Sequence, residues 1–428
     1  MEEHLHRHRH TDMISVEDAL EHILKFCSVL SPEAKPISDA LGQVLAENIV
    51  GRFDMPRWDN SAMDGYAVRA NDIKAATNQS PTVLKVVGTI AAGDVPHKTV
   101  ESGTAIRIMT GAPIPTMADA VVPFEDTDEL ERKSTTEIGI QLSVRSGSNI
   151  RAQGGDIKKG QPVIDQSKVL KAADIGVLAS LGYSKVQVVK RPTVGILATG
   201  DELVDPKEPL GPGKIYNSNS YSIAAAVQAS GGIPWMLGIA SDTQHSISSM
   251  LDKGINGADI LITTAGVSKG DYDLVKNVLT EHGKIELWSV RMRPAKPLAF
   301  GLLNASEGRR MPILGLPGNP VSSLVAFEQF GRPALRKMMG FVNHGRPRVQ
   351  AILEDAIVNS DGRRQYARVI ITKRDGTYYA RLTGDQGSNI LTSMSLANGL
   401  AICPEETPRK EIGETIDVEM LEWPVSYV

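Results

Sequence analysis

The stretch TVGILATGDEL at residues 193–203 decides the fold class, because an apolar run ends there in a glycine and two acids. Similar apolar runs alternate with helical periodicity as far as residue 338. The predicted strands are 193–198, 233–239, 258–263, 285–290, 298–303 and 312–316. The predicted helices are 220–229, 244–251, 272–281 and 321–338. Near-continuous apolar strands that alternate with helices are typical of a doubly wound, mostly parallel sheet.

The rest of the chain differs in pattern from this α/β domain, which we place at 192–340. Residues 13–54 and 151–191 carry helical patterns, with one helix predicted after the capping-box signal at Ser15 and another from Ser38. We expect these two pieces to form one discontinuous helical domain. Short β-type runs separated by turn residues predict a β-domain at 55–150 and a small C-terminal β-domain or β-barrel at 341–428. The fold class is therefore α/β plus β, in several domains.

Composition excludes several classes of function. The chain has 428 residues and a net charge of −4, so it lacks the basic excess that bulk nucleic-acid binding requires. No apolar run reaches about 18 residues, which predicts no membrane span. Only two cysteines occur, as expected in a reducing compartment, and the polar N-terminus has no signal-peptide core. We expect a cytoplasmic protein.

Four histidines, His4, His6, His8 and His10, alternate in the N-terminal tail. A tail of this kind either is disordered or binds a divalent metal weakly.

Acids follow three of the predicted strands, at Glu202, Asp242 and Asp271. Ligands of open α/β sheets bind at the carboxyl ends of the strands. Carboxylates gathered there repel each other unless a cation joins them, and Mg²⁺ prefers oxygen ligands and bridges to substrate phosphates. The alternative is that each acid caps the following helix. That alternative is stronger for Asp242 than for Glu202, which prolines and glycines follow.

Two further segments are suited to anions. The sequence LPGNPVS at 316–322 places Asn319 at a helix N-cap and Pro320 at the first helical position, where free amides form an anion site. The sequence RMRPAKP at 291–297 holds three cations in a connection that proline restricts. A plain strand-to-helix turn and a solvated basic turn explain the same residues.

Common catalytic signatures are absent from the sequence. It contains no nucleophile elbow, no paired-cysteine zinc spacing, no phosphate-binding P-loop and no Gly-x-Gly-x-x-Gly in a strand–helix context. The polar turns DNSAMDGYAV at 59–68 and RIMTGA at 107–112 indicate no chemistry by themselves.

Six motifs taken together resemble the molybdopterin molybdenumtransferases, a family that includes the C-terminal domain of gephyrin. The motifs occur in the family's order and span nearly the whole chain, and they are DNSAMDGYAV, RIMTGA, TGDEL (199–203), TTAGVSKGD (263–271), RPAKP (293–297) and LPGNPVS. The resemblance implies the four subdomains predicted above, in an elongated homodimer whose active cleft lies between protomers. It also implies that molybdate is inserted into adenylylated molybdopterin with Mg²⁺-dependent release of AMP. Possible further partners are the upstream adenylyltransferase and the molybdoenzymes.

The resemblance also assigns roles to residues that match the family's motifs. The implied catalytic groups are Asp64, Thr110, Glu202, Asp242 and Asp271, and the last three are also the implied metal ligands. The implied substrate contacts are Ser268, Arg293, Lys296, Pro297, Pro317, Gly318, Asn319, Pro320, Ser322, Arg368 and Ser388. The last two lie in the C-terminal domain and match a shorter motif.

Two positions depart from the family's pattern. Ala265 stands where the family has a second glycine, so its methyl group would narrow the approach of a ligand to the backbone. Gly155 stands where an acid is usual. Two alternative functions remain at this stage, a paralogue that inserts tungstate and a non-catalytic scaffolding or binding protein.

Overall fold

The structure, a computed structural model, describes residues 13–264 and 272–424. The chain divides into two compact units. The first comprises the residues up to Ala34, Gly42–Ala46 and the residues from Gln187 onward, and the second comprises Lys35–Leu41 and Glu47–Val186. None of the helices in the described part of the chain is long and apolar enough to cross a membrane.

A six-stranded mixed sheet forms the centre of the first unit. In spatial order its strands are Ile233–Ala240, Thr193–Thr199, Ile260–Thr264, Arg310–Leu316, Pro297–Asn304 and Gly283–Ser289. The first four are parallel, and the last two continue the sheet with antiparallel pairing. Almost all side chains of the central strands are buried, as a sheet covered on both faces requires. The predicted doubly wound, mostly parallel sheet is confirmed.

Helices cover this sheet. They are Val16–Lys25, Ser218–Ala229, Gln244–Gly257, Tyr272–His282 and, in one continuous run, Pro320–Ala326, Phe327–Gly331 and Arg332–Met338. The middle segment of that run is π-helical, whereas the sequence predicts a single regular helix. Pro333 lacks an N–H, and its ring would clash with the carbonyl of Gln329 in a regular helix, so a widened turn accommodates it. Phe330 in this turn is fully buried in the largest core cluster.

A closed five-stranded barrel forms the C-terminal part of the first unit, as predicted. Its strands, in order around the barrel, are Arg364–Arg374, Thr377–Leu382, Arg348–Leu353, Thr415–Met420 and Gly399–Cys403, which pairs again with the first. The short helix Leu391–Leu396 belongs to the same region. The remaining short strands of the unit are Leu203–Val204, Ile215–Tyr216, Met292–Arg293, Ile357–Val358 and Arg409–Lys410. The sequence patterns do not predict the strand 415–420, in which polar residues alternate with apolar ones.

The second unit contains the predicted β-structure. Its five-stranded sheet has the order Ala120–Pro123, Gly65–Val68, Thr104–Ile108, Thr82–Ile90 and Glu137–Ile140. Apolar clusters cover both faces, so Gly65–Val68 is buried along its whole length. The other elements are the paired strands Asn60–Ser61 and Ile150–Arg151 and the helices Glu129–Arg132 and Ala172–Ser180.

The helix predicted from Ser38 is wrong. Only the three-residue 3₁₀ turn Ile37–Asp39 forms there, and the chain then turns at Gly42, whose φ of +76° is incompatible with an α-helix. Ala40 and Leu45 are buried by packing, which produced the helix-like spacing of apolar residues. Short strands also occur within the segments assigned to the helical domain, at Pro32–Pro36, Ile49–Val50, Pro162–Ile164 and Lys185–Val189. The boundaries of the four domains stay predictions.

Candidate active site

The candidate active site lies at the edge of the mixed sheet where the parallel strands end, here called the carboxyl edge. Thr199 pairs with Ala240, and Thr264 pairs with both Ala198 and Leu316, so the ends of these strands are aligned. The antiparallel strand beginning at Pro297 starts at this same edge. The loops after Thr199, Ala240 and Leu316 and the basic segment before Pro297 are thus brought together, as predicted.

Two acidic loops at the carboxyl edge are joined by hydrogen bonds from backbone N–H groups to carboxylates. The N–H of Asp201 donates to Asp242 Oδ2 and the N–H of Asp242 donates to Asp201 Oδ1, both at 3.1 Å. Asp242 does not cap the following helix, because Thr243 occupies the N-cap and accepts from the N–H of Ser246. The capping alternative is therefore wrong for Asp242. Asp201 is a residue that the sequence analysis did not single out.

Glu202 owes its position to Gly200. Gly200 has φ +139°, and a Cβ there would lie only 2.4 Å from Glu202 Oε2, so the glutamate folds back over a backbone that has no side chain. Two hydrogen bonds that do not involve the Glu202 side chain hold the main chain of the loop. The N–H of Leu203 donates to the carbonyl of Gly200 at 3.1 Å, and the N–H of Ile215 donates to the carbonyl of Glu202 at 2.8 Å. Glu202 is exposed, which leaves its carboxylate accessible to a ligand.

The predicted acidic cluster is only partly within the described residues. Asp271, together with Ala265 and Ser268, lies outside them. In residues 13–264 and 272–424, no group of three histidine, cysteine, aspartate or glutamate residues is arranged to hold a metal. The roles of Glu202, Asp242 and Asp271 as metal ligands stay predictions.

The Pro-Gly-Asn-Pro loop, residues 317–320, connects the sheet to the barrel. Asn319 occupies the predicted N-cap position and Pro320 the first helical position, but the Asn319 side chain makes no capping bond. Its Nδ2 donates instead to Ser388 Oγ at 3.1 Å, and the N–H of Val321 donates to the carbonyl of Ser388 at 3.1 Å. Pro317 is buried and so is Ser322, with 5% of its surface exposed.

The basic segment presents two cations at the carboxyl edge rather than three. Arg293 and Lys296 are exposed, and the buried Ala295 between them has φ +76°, a rigid left-handed turn. Arg291 is directed elsewhere, since its Nη2 donates to the carbonyl of Met13. Arg293 Nη1 lies 3.7 Å from Asp361 Oδ2.

Asp361 is held as a carboxylate. Burial alone would raise the pKa of Asp361, but the hydrogen bond from Arg363 and the positive charges of Arg363 and Arg293 outweigh burial and lower it. Arg293 therefore faces a permanent negative charge on its barrel side.

Arg368 is the largest fully buried side chain among the described residues, with 1% of its surface exposed. Its Nε donates to Ser393 Oγ at 3.1 Å, and its Nη2 donates to the carbonyls of Gly387 at 3.0 Å and Asp385 at 3.3 Å. Burial, together with repulsion from Arg293, lowers the pKa of Arg368 to about 10. The described contacts make Arg368 a support for the loop 384–388, and its implied contact with substrate stays a prediction.

Several buried polar atoms at the carboxyl edge were missed by the sequence analysis. The atoms without a hydrogen-bond partner in the described part of the chain include Asn219 Oδ1, Ser220 Oγ, Thr263 Oγ1 and Thr264 Oγ1. A buried polar group without a partner is costly, so such groups point to a polar ligand or ordered water. The only sequence signal was the polar run of residues 217–220 at the start of a helix.

Asp64 and Thr110 come together in the second unit. The N–H of Thr110 and its hydroxyl both donate to Asp64 Oδ1, at 2.7 Å and 2.8 Å. The backbone N–H, the hydroxyl of Thr110 and the charge of Arg107 lower the pKa of Asp64, outweighing a smaller opposite effect of burial. Gly155, in the same unit, lies in a turn where a Cβ would come within 3.0 Å of the carbonyl oxygen of Ala152.

Replacing Thr110 by valine should raise the pKa of Asp64 towards its ordinary value, because one of two hydrogen bonds to the carboxylate is lost. Since folding depresses this pKa, the bonds stabilise the fold above the unfolded pKa and are lost as pH falls through the folded one. Carbon-13 NMR titration of the Asp64 carboxyl measures the shift. Thr89→Val, at an exposed strand position, is the control. An unchanged Asp64 titration in Thr110→Val would contradict the role of the hydroxyl.

Comparison with known proteins agrees with this arrangement over nearly the whole chain. Residues 14–182 match the model of the MoeA N-terminal region (domain I and II), 195–337 match a probable molybdopterin binding domain, and 350–421 match the MoeA C-terminal region (domain IV). The chain is 37% identical over 413 residues to molybdopterin molybdenumtransferase 2 of Mycobacterium tuberculosis, covering 95% of this chain and 99% of that one. It is 36% identical over 431 residues to the molybdopterin molybdenumtransferase of Nostoc, covering 98% and 96%.

A solved structure of the molybdopterin biosynthesis MoeA protein from Pyrococcus horikoshii is also similar. It has a TM-score of 0.80 and 31% sequence identity, and covers 96% of this chain and 100% of that one. The motif order, the shared fold and the full-length similarity have one explanation. The chain belongs to the molybdopterin molybdenumtransferase family, transferases of molybdenum cofactor biosynthesis.

Proposed function

We propose that the protein inserts molybdenum from molybdate into adenylylated molybdopterin and releases AMP. The observation that carries this proposal is the meeting of opposite charges at one carboxyl edge. Glu202 and Asp242 follow two parallel strands there, and Arg293 and Lys296 precede the antiparallel strand that starts beside them. A scaffolding protein requires neither set of charges.

The cations suit the oxyanion substrate. Molybdate is a tetrahedral dianion, and charge-assisted hydrogen bonds from Arg293 and Lys296 would bind and orient it. The Pro-Gly-Asn-Pro loop and Ser388 lie at the same edge and supply further polar groups. The exposed positions of the two cations leave their donor groups available to an incoming anion.

AMP release requires that the phosphoanhydride linkage breaks. An oxygen nucleophile attacks one phosphorus of the linkage, and the bridging oxygen leaves with the other phosphate. Asp64, whose lowered pKa keeps it ionised, is one candidate for orienting the attacking oxygen. Asp271 is the other candidate.

The donor set at the carboxyl edge fits Mg²⁺. This ion usually keeps several waters and takes one or two carboxylates together with substrate phosphates, so the pair Glu202 and Asp242 meets its requirement. These two residues would hold it, with Asp271 as a further candidate. When bound, Mg²⁺ would neutralise charge on the phosphates.

We further propose a cytoplasmic homodimer. Cys27 and Cys403 are both buried free thiols, as in proteins of a reducing compartment.

The family resemblance supports the dimer, in which each cleft lies between protomers, and light scattering tests it. The upstream adenylyltransferase and the molybdoenzymes remain the expected partners.

The decisive experiment measures AMP release by the purified protein from adenylylated molybdopterin and Mg²⁺, with and without molybdate. Molybdate-dependent release is expected. Pterin binding without release, with other divalent ions and tungstate also tried, would favour a non-catalytic binding protein, and Ala265→Gly would then be tested. Preferential use of tungstate in direct competition would identify a tungstate-inserting paralogue.

A further inference from the structure

Asn219 is held rigidly at the start of the helix Ser218–Ala229. Asn217, two residues earlier, is buried and caps this helix, and its Oδ1 accepts from the N–H of Ser220 at 3.1 Å. The N–H of Asn217 in turn donates to the carbonyl of Val204 at 2.9 Å. The backbone from which the Asn219 side chain projects is therefore fixed on both sides.

The Asn219 side chain reaches the Pro-Gly-Asn-Pro loop. Its Nδ2 donates to the carbonyl of Gly318 at 2.6 Å. Gly318 has no side chain that could anchor the loop, and it is exposed. The other three residues of the loop each have a proline ring or a side chain that limits their motion. The bond from Asn219 provides such a restraint for Gly318.

Asn319, the next residue of the loop, connects the restrained peptide to the barrel. Asn319 Nδ2 donates to Ser388 Oγ at 3.1 Å, so a rotation of the peptide between Gly318 and Asn319 would move the group that holds Ser388. The barrel side of Ser388 is already rigid, because Arg368 donates to the carbonyl of Gly387 at 3.0 Å. The serine hydroxyl is thus oriented mainly from the side of the loop.

We propose that Asn219 is a positioning residue, which sets the Ser388 hydroxyl for molybdate through Gly318 and Asn319. This inference rests on the proposed function, in which the loop and Ser388 contact the oxyanion. Displacing a binding group by about 1 Å is enough to reduce the rate strongly in enzymes. Asn219 itself need not touch the substrate.

Asn219→Leu isolates the bond. Leucine has nearly the shape of asparagine and no charge, and it removes the donor. The Asn219 Oδ1 that it also removes has no protein partner among the described residues, so the hydrogen bond to Gly318 is the described side-chain bond that is lost. We expect the KM for molybdate in AMP release to rise about tenfold, the effect of one hydrogen bond, with a smaller change in kcat. Asn256→Leu is the matched control, because Asn256 Nδ2 likewise donates to a main-chain carbonyl, that of Asp252, on another helix.

A double-mutant cycle with Ser388→Ala tests the route of the effect. If Asn219 acts through Ser388, Asn219→Leu adds at most about twofold to the KM in the Ser388→Ala background, since coupled residues are not additive. Multiplied effects of the two changes would overturn the proposal, because Asn219 would then act independently of Ser388.

Hydrogen exchange supplies a readout that requires no activity. The N–H of Val321 donates to the carbonyl of Ser388, so loosening of the contact speeds exchange at Val321 and in the peptide covering 384–390. Asn219→Leu should show this acceleration and Asn256→Leu should not, and equal exchange in both variants would overturn the proposal. If the wild-type protein releases no AMP, the proposed function fails, whereas the exchange experiment still decides whether Asn219 positions Ser388.

Discussion

Glu202→Gln is expected to reduce molybdate-dependent AMP release by about 10²–10³-fold, as the loss of one preorganised electrostatic group does in other enzymes. Glutamine has the same shape but lacks the negative charge that we propose holds Mg²⁺ with Asp242. The loop itself should survive, because its main-chain bonds from Leu203 and Ile215 do not involve the side chain. Steady-state AMP release, measured at several Mg²⁺ concentrations, checks the prediction.

The control for this change is Glu208→Gln. Glu208 is an exposed acid between the strands Leu203–Val204 and Ile215–Tyr216, and the substitution removes the same negative charge. Its turnover should equal that of the wild type, and the free energy of unfolding should change by less than about 0.5 kcal/mol in both variants. Normal turnover by Glu202→Gln would remove Glu202 from the proposed site.

Lys296→Met is expected to raise the KM for molybdate about 10–100-fold. Methionine keeps the length of the side-chain stem but removes the ammonium group, whose charge-assisted hydrogen bond to an oxyanion is worth about 1.5–3 kcal/mol. The backbone should keep its position, because the carbonyl of Lys296 accepts from the N–H of Val290 at 2.7 Å. Molybdate titrations of AMP release measure the effect.

Lys284→Met provides the comparison. Lys284 lies on the strand Gly283–Ser289 but pairs with Leu302, away from the carboxyl edge, and its side chain is 77% exposed. The same charge is removed from the same sheet, so general electrostatic attraction predicts equal effects for both variants. Equal KM values would refute a specific role for Lys296, whereas a rise confined to Lys296→Met would support it.

Much of the fold follows from local patterns. Apolar runs predicted all six strands of the mixed sheet, most clearly the central ones, because strands buried on both faces must be apolar throughout. The segment after Ser38 misled the same reasoning, since buried side chains at helical spacing also arise where a chain turns at Gly42. The barrel strand at 415–420 was missed because its alternating acids resemble a turn region.

The sequence indicated the motifs of the candidate site, but few of the contacts between them. Acids after strands indicated Glu202 and Asp242, and proline spacing indicated the Pro-Gly-Asn-Pro loop. The link from Asn319 to Ser388 joins residues 69 positions apart, so no local pattern could indicate it. Arg368 is a second example. A motif identifies this residue, but it does not show whether the guanidinium faces a ligand or the carbonyls of the loop 384–388.

Sequence patterns alone predicted the order of strands and helices in the α/β domain, the family and the chemical types of the groups at the carboxyl edge. These properties depend on local hydrophobic periodicity and on short motifs, which a linear chain records directly. The tertiary structure was needed to show three contacts. Asp201 and Asp242 each donate a backbone N–H to the other's carboxylate, Arg291 donates to the carbonyl of Met13, and Asn219 donates to the carbonyl of Gly318. Such contacts depend on side-chain direction and on strand register between distant segments, which packing of the whole chain determines.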